Sequence, residues 1–506
     1  MSVALGCLVV AANAQSPNPA PRPLSLRECV ELALEHNLDV QIERYNPELA
    51  RVFLQGAYGV YDPVFNVRAT HDSLKSPALF APRKFNPDFP YDLRTDSVGA
   101  GFTGLLPTGL TYDFSGRSDF LDADTDFTLD PDTARFFRPD GIRRTNQYFL
   151  SAGITLRQPL LRDSWIDGYR QAIRVNKKNL KISELALRWR IMNTVTAVQQ
   201  AYYELLYARE QVKVEERALD LANQLRTETR RRVEVGDLPP LDEKQAEAQV
   251  EATQADLIAA QQVLAERRNA LVNLLTDDFR AWADVAPEPT EHLAPLADVP
   301  DRAECWQRAM TSRPDLAQFR AEIEKLDLSI RFNFNQLFPN LDLVGSFGGR
   351  AAEDTFGRAL DTIADGQNPA YGYGVVLRVP VGNRTARSNY RASKAVREQT
   401  QLHLKKLEQS VLVEVDNAVK AVQSAFKRMN STRQARVFAE AALAAEKKKL
   451  QNGASTSFTV LQFQERLTAA QTAEIRALAD YHKALAQLAL SEGSTLEKLQ
   501  LSVEIR

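Results

Sequence analysis

DSWIDGYRQAIRVNKKNLKISELALRWRIMNTVTAVQQAYYELLYAREQVKVEERALDLANQLRTETRRRVEVG (163–236) holds no proline, and between Tyr169 and Val235 no glycine either. Proline lacks the helical N–H and glycine costs backbone entropy, so the stretch is free of both residues that stop helices. At ~1.5 Å per residue, the 67 positions from Tyr169 to Val235 make one rod of about 100 Å. Helices of soluble domains average about 11–12 residues, so a single globular domain is the wrong picture. Apolar residues recur in steps of four and three: Ile191, Val195, Val198, Tyr202, Leu205. Arg209 breaks the series, and Val212 and Leu219 resume it. That is the spacing of a coiled-coil seam.

A second rod follows. Residues 383–452 again lack Gly and Pro and again end at a glycine, Gly453, as the first rod ends at Gly236. Its seam reads Val411, Val415, Ala418, Val422, Ala425, Met429. The entrances match as well: GITLRQPLLRD (153–163) answers GVVLRVPVGNR (374–384), with Pro159 + 221 = Pro380 and Tyr169 + 221 = Tyr390. At the far end Gly236 + 217 = Gly453, so the second copy is shorter by four residues, about one turn, and keeps its seam phase. Upstream the offset is 276, carrying Cys29 to Cys305, Ala33 to Ala309, Asp39 to Asp315 and Pro63 to Pro339. The chain is an internal duplication. The first repeat covers 24–275, as helices 24–61, strands 63–158 and long helices 163–275. The second covers 301–490, as helices 301–338, strands 339–380 and long helices 382–490. A Pro-rich linker, 276–300, joins them, and 491–506 form a short tail.

Lys+Arg 63 against Asp+Glu 65 leaves a net charge of −2, so nucleic-acid binding has no electrostatic footprint. There is no apolar run long enough for a transmembrane helix, which says nothing against the weaker signal of barrel strands. Residues 1–14 read as a signal peptide: VALGCLVVAA (3–12) is apolar and Ala12-Asn13-Ala14 offers a cleavage site before Gln15. The basic segment expected before it is missing, which leaves a start further upstream open, and Cys7, ahead of most of the apolar run, argues against lipidation.

At Pro63 and Pro339 the period changes from helix to strand. Phe65, Val67 and Ala69 alternate with Asn66, Arg68 and Thr70, and Leu341, Leu343 and Phe347 with Asp342 and Ser346. The runs returning to the rods alternate too, through Tyr148, Leu150, Ala152, Ile154 and Leu156, then Tyr371, Tyr373, Val375 and Leu377. This suits a barrel wall between lipid and water. Past each tip glycine a half-length helix returns, near 241–275 and 458–490. The helices before the strands would supply the other half, the first (40–61) interrupted or bent near Pro47.

Chemistry is thinly represented. The five His are scattered, none forming a metal-spaced pair, and there is neither a phosphate loop nor a nucleophile elbow. No catalytic residue, metal site or cofactor is expected. Cys29 and Cys305 sit at equivalent repeat positions, too far apart for a disulfide, and read as two buried, unlinked small side chains. Asp122, Asp124 and Asp126 begin like a calcium loop, but Phe127 stands where Gly is needed, and an acidic surface loop is the better reading.

The order of parts is signal, helix pair, strands, giant helix, Gly turn and half-length helix, then most of it again. With RPDL (313–316), FPNLDL (338–343), RQPLLRD (157–163), AVQQAYYELL (197–206) and the turns at Gly236 and Gly453, the mature chain resembles the TolC family of outer-membrane channels. The resemblance implies a mainly α fold with a membrane β-barrel. A homotrimer would form an α-barrel of long coiled helices across the periplasm and a β-barrel in outer-membrane lipid. It implies a passive exit duct for efflux or type I secretion, served by a periplasmic adaptor protein and an inner-membrane RND or ABC transporter. The competing reading is a coiled-coil structural scaffold without transport; an enzyme is third.

Two departures from the family stand out. Its usual two strands per repeat leave residues 73–146 too long, and the alternation through 95–118 about Pro107-Thr108-Gly109 allows an extra hairpin, in the membrane or outside it. Family members also carry aspartates six and nine residues past the second tip glycine. Those positions are Thr459 and Gln462 here, against Asp242 and Gln245 in the first copy. The tip candidates are therefore Gly236, Asp237, Asp242, Gln245, Gly453, Thr459 and Gln462. Asp242 is read first as an acid favouring its helix N-terminus, Asp237 as the alternative cap, and Thr459 and Gln462 as a non-acidic constriction.

Overall fold

A computed structural model describes residues 20–76, 91–126, 142–236, 238–283, 285–293, 301–452 and 454–501. The signal segment, Cys7 and Gly453 lie outside the described residues. The first repeat contains β1 (Ala20–Leu24), α1 (Leu26–His36), α2 (Leu38–Tyr58), β2 (Val64–Ser76), β3 (Tyr91–Leu105), β4 (Thr111–Asp126), β5 (Ile142–Pro159), α3 (Gly168–Glu234) and α4 (Pro240–Leu275). Then come β6 (Val285–Pro289), α5 (Arg302–Ser312), α6 (Pro314–Asn335), β7 (Asn340–Glu353), α7 (Phe356–Ala364), β8 (Pro369–Arg378), α8 (Arg384–Gln451), α9 (Ser457–Glu492) and α10 (Thr495–Lys498).

The rods are unbroken helices of 67 and 68 residues, and each return helix has 36. The second rod begins six residues before Tyr390 whereas the first begins one before Tyr169. It thus recovers at its start the turn it lacks at its tip. The duplication extends to the caps: Ser25 forms a capping box with Glu28, and Asp301, 276 positions on, accepts from the Glu304 N–H. Each cap satisfies a first-turn N–H that the helix leaves open.

The chain divides into two compact units, the first comprising Met1–Glu48, Lys181–Arg320 and Leu402–Arg506. Its two largest cores are each built on one rod's seam. Ile191, Val195, Val198, Tyr202 and Leu205 are at most 1% exposed and pack with Cys29, Val30, Ala33, Leu271 and Leu275. Val411, Val415, Ala418, Val422, Ala425 and Met429 pack with Cys305, Ala309, Leu316 and Tyr481. Both cysteines are free and buried, one in each core, and burial pushes both thiols up to about 12.

The structure refines four of these readings. Arg209, the seam break, turns its guanidinium onto the Pro289 carbonyl at 2.5 Å and that of Glu291 at 3.4 Å, so the rod interrupts its seam to hold the linker. That linker is not irregular throughout: a short 3-10 turn at Phe279–Trp282 precedes β6, which pairs in parallel with β1. Both strands of this two-stranded sheet are edges, the one place where prolines at 21, 23, 287 and 289 are tolerated. The tail is ordered through α10, with Ser494 and Thr495 buried. And α2 starts at Leu38 and runs through Pro47 without a break.

The second unit, Leu49–Leu180 with Ala321–Gln401, holds one antiparallel sheet of six strands in the order β2-β3-β4-β5-β7-β8. The 95–118 hairpin lies inside this sheet, as β3 and β4 between β2 and β5. Strands also extend into stretches read as loops. Asp122 and Asp124 lie on β4, where Asp122 meets Arg144 at 2.9 Å, so DADTD is strand and ion pair rather than calcium loop or acidic surface loop. The segment between β7 and β8 holds α7, which packs back on β7 and β5.

Candidate functional site

The helix turns lie in the first unit. At the first, Gly236 takes φ +80°, a left-handed conformation that glycine adopts without Cβ strain. Its N–H donates to the Val233 carbonyl at 3.0 Å, and that of Leu238 to Arg232 at 3.3 Å, satisfying carbonyls left open at the end of α3. The cap of α4 is Pro239, with no side-chain hydrogen bond, and Pro240 opens the helix. Asp237, the alternative cap, lies outside the described residues. Asp242 and Glu243 stand in the first turn, where the helix dipole favours acids. Asp242 is half-buried and Gln245 exposed.

The second turn is built differently. Thr456 caps α9, its hydroxyl accepting from the Thr459 N–H at 3.2 Å and lying 2.9 Å from the Thr459 hydroxyl. Thr459 is thus engaged in the cap, while Gln462 on the next turn is exposed. An acid is present after all, seven residues before Gly453 instead of after it. Glu446 is 8% exposed and accepts from Ser455 and from Lys449. Those hydrogen bonds, Ser455 first, hold its carboxyl below the usual range. A search of positions following the glycine misses it; the i,i+3 spacing to Lys449 on the rod was the available signal.

Leu225 of α3, Leu443 and Leu450 of α8 and Val460 and Leu461 of α9 share one buried cluster, so the two turns are bound into one end. Further along, Glu204 of α3 is met by Arg476 at 3.1 Å and by Lys483, both from α9, which hold its carboxyl low against the opposing effect of burial. Between α3, α4 and α9 lies a cavity of about 530 Å³ lined by Tyr207, Glu215, Asp256 and Gln464 among others. Burial, and then the Asp256 charge, raise the Glu215 carboxyl. None of these groups pairs a nucleophile with a base.

A family model described as outer membrane efflux protein matches residues 106–276 and 305–494, spanning both repeats. The chain belongs to the outer membrane efflux protein family. The family match begins at residue 106, after β2 and β3. The pyoverdine export outer membrane protein OpmQ of Pseudomonas aeruginosa is 25% identical over 328 residues, 64% of this chain and 66% of that protein. The cobalt-zinc-cadmium resistance protein CzcC of Cupriavidus metallidurans is 25% identical over 197 residues, 38% of this chain and 42% of its own. Each match covers less than two thirds of the relative's length. The fold resembles the outer membrane channel CmeC of Campylobacter jejuni, with TM-score 0.64 and 15% identity over 93% of this chain and 86% of that one. It also resembles the open-state MtrE channel of Neisseria gonorrhoeae, with TM-score 0.62 and 17% identity over 93% and 89%.

Proposed function

We propose that this efflux-family chain is the passive outer-membrane exit duct of a tripartite efflux or type I secretion assembly, and that it works as a homotrimer. One observation carries the reading. Phe65, Phe102, Phe114, Ile154, Phe347 and Tyr371 are directly opposed across all six strands, and every one is exposed, from 36% to 77%. An apolar row of that breadth needs a cover. The opposite face carries Asn66, Ser115, Ser151, Thr155 and Ser346, so one side suits lipid and the other water. On β7 the apolar face runs from Leu341 to Ala351, about 33 Å along the strand, or about 25 Å of height at a barrel tilt near 40°. Polar pairs such as His71 with Asp96 follow beyond it.

The free edges are β2 and β8, which run in opposite senses. Three copies would pair them antiparallel and close a barrel of about 18 strands, a size that leaves an aqueous channel. The helix turns, through the constriction at Thr459 and Gln462, would face a periplasmic adaptor fed by an RND or ABC transporter of the inner membrane. A coiled-coil scaffold has no use for an apolar sheet face. The detergent-extracted protein is expected to be a trimer and to form ion-conducting pores in planar bilayers. A stable water-soluble monomer would refute this.

Asp242 sits where a dipole acid belongs, so Asp242→Ala is expected to leave single-channel cation preference and block by multivalent cations unchanged. Its stability cost is a few tenths of a kcal/mol. A reduced block would instead make it a gate residue.

A further inference from the structure

The polar face of the sheet carries one row unlike the rest. Arg68 opposes Gly99, Gly99 opposes Arg117, Arg117 opposes Ser151, and Ser151 opposes Arg350. Directly opposed residues share a face, so three arginines stand in one register row, on β2, β4 and β7, with no acid among them. The residues between them are small. Arg117 Cβ and Cγ lie 3.8 and 3.9 Å from the position a Gly99 Cβ would take, so the arginine stem occupies the space the glycine leaves. Arg117 donates to Asp119 at 2.7 Å and to Ser97 at 3.1 Å. Asp119 is one row above, Asp72 two rows above Arg68, and Asp113 two rows below. Among the described residues Arg68 and Arg350 form no ion pair, and all three arginines are exposed.

The neighbouring rows of the other face are Val67, Ala100, Gly116, Ala152, Gly349 and then Ala69, Val98, Ser118, Leu150, Ala351. The arginines therefore sit at the depth of the apolar band, pointing away from it. A charge on the lipid side at that depth costs about 2–4 kcal/mol, whereas the lumen side is hydrated. β2, β4 and β7 are the first, third and fifth strands of six, so the edge pairing of β8 with a second copy's β2 continues the alternation. Arginines then recur every second strand, about 9.6 Å apart, close to the ~8 Å screening length at physiological salt, so their potentials overlap. Because barrel strands tilt, the row runs obliquely, as three inclined arcs rather than one flat ring.

We infer that the Arg68–Arg117–Arg350 row is an anion-recognition band lining the barrel, and that it favours solutes bearing carboxylate or phosphate over cations. Guanidinium forks match both groups, and rings of basic side chains select anions in pores. The inference rests on the barrel reading above.

The experiment uses the full-length trimer in planar bilayers under a KCl gradient, with inositol hexakisphosphate added to the barrel side as the multivalent anion. Wild type is expected to be blocked at low salt, with block weakening as salt rises. Arg68→Gln/Arg117→Gln/Arg350→Gln should raise the half-blocking concentration about tenfold or more and shift the reversal potential toward cations. The corresponding triple lysine variant should retain most of both properties, which separates charge from fold. Conducting wild-type channels whose block and reversal potential are unmoved by the glutamine substitutions would overturn the arginine band alone. A wild-type protein that forms no channels would overturn the barrel reading, and the band with it.

Discussion

Arg313→Ala is expected to lower the stability of the folded chain by about 3–5 kcal/mol, the cost of breaking a buried charge pair from one side. Arg313 is 4% exposed, yet its guanidinium makes four hydrogen bonds. Its Nε and Nη2 donate to the two Asp315 carboxylate oxygens at 3.0 and 2.7 Å. Nη1 donates to Glu414 of α8 at 2.9 Å and to the Ser491 carbonyl of α9 at 3.0 Å, and the guanidinium stacks over Trp189 of α3. Alanine would leave two carboxylates, a helix-end carbonyl and an indole face without this partner; Asp315 is largely shielded from water, which can replace the guanidinium more readily at Glu414, 42% exposed. Lysine, with one compact ammonium, cannot make the fork to Asp315 and reach α8 and α9 together, so Arg313→Lys should recover only a small part. Thermal or denaturant unfolding of the solubilised protein reads the effect; a midpoint equal to wild type would show that the hub contributes nothing net. The equivalent position in the first repeat is Asn37, which meets the same need with neutral groups. Its side chain donates to the Leu274 carbonyl at 3.0 Å and accepts from the Val40 N–H at 3.2 Å. The duplication has kept the buried turn and changed its chemistry.

That contrast marks what could be read from residues alone. The rods, their seams and the return helices were legible because each depends on local properties: freedom from Gly and Pro, a four-three period, and a glycine able to take positive φ. What escaped was whatever depends on a partner distant in sequence. Arg209 reads as a fault in the seam until the Pro289 carbonyl stands beside it. β6 reads as linker because its prolines are tolerated only at an edge that β1, about 265 residues earlier, provides. The hairpin 95–118 was visible as alternation, but its place between β2 and β5 depended on register, as did the arginine row, whose members are separated by 49 and 233 positions. At the turns, the count forward from Gly453 led to Thr459 and Gln462, while the buried acid, Glu446, lies on the other side of the glycine.

The end of the second repeat offers the other large effect. Gly493 closes α9 at φ +78° and ψ 15°, its N–H donating to the Ala489 and Leu490 carbonyls. Ser494 then donates to Ala489 at 2.8 Å, completing the turn. Left-handed backbone alone would cost an alanine here about 1–2 kcal/mol. A Cβ at Gly493 would also lie 2.9 Å from the Arg313 nitrogen, 3.0 Å from its Cα and 3.0 Å from the Ser312 carbonyl carbon. Those are backbone atoms at the start of the segment that carries the Arg313 hub, and they cannot rotate aside. Overpacking of this kind adds about 1–3 kcal/mol, so Gly493→Ala should cost about 2–5 kcal/mol in all. Gly236→Ala supplies the control. Gly236 has nearly the same φ, +80°, but nothing within 4 Å of its would-be Cβ, so only the conformational share applies. The two variants should therefore unfold at clearly different denaturant midpoints, Gly493→Ala the lower. Because the clash falls on Arg313 itself, Gly493→Ala and Arg313→Ala should be less than additive when combined. Equal midpoints for the two glycine variants would mean that α9 moves away from residues 312–313 at no cost, and that the close approach is not what fixes glycine at position 493.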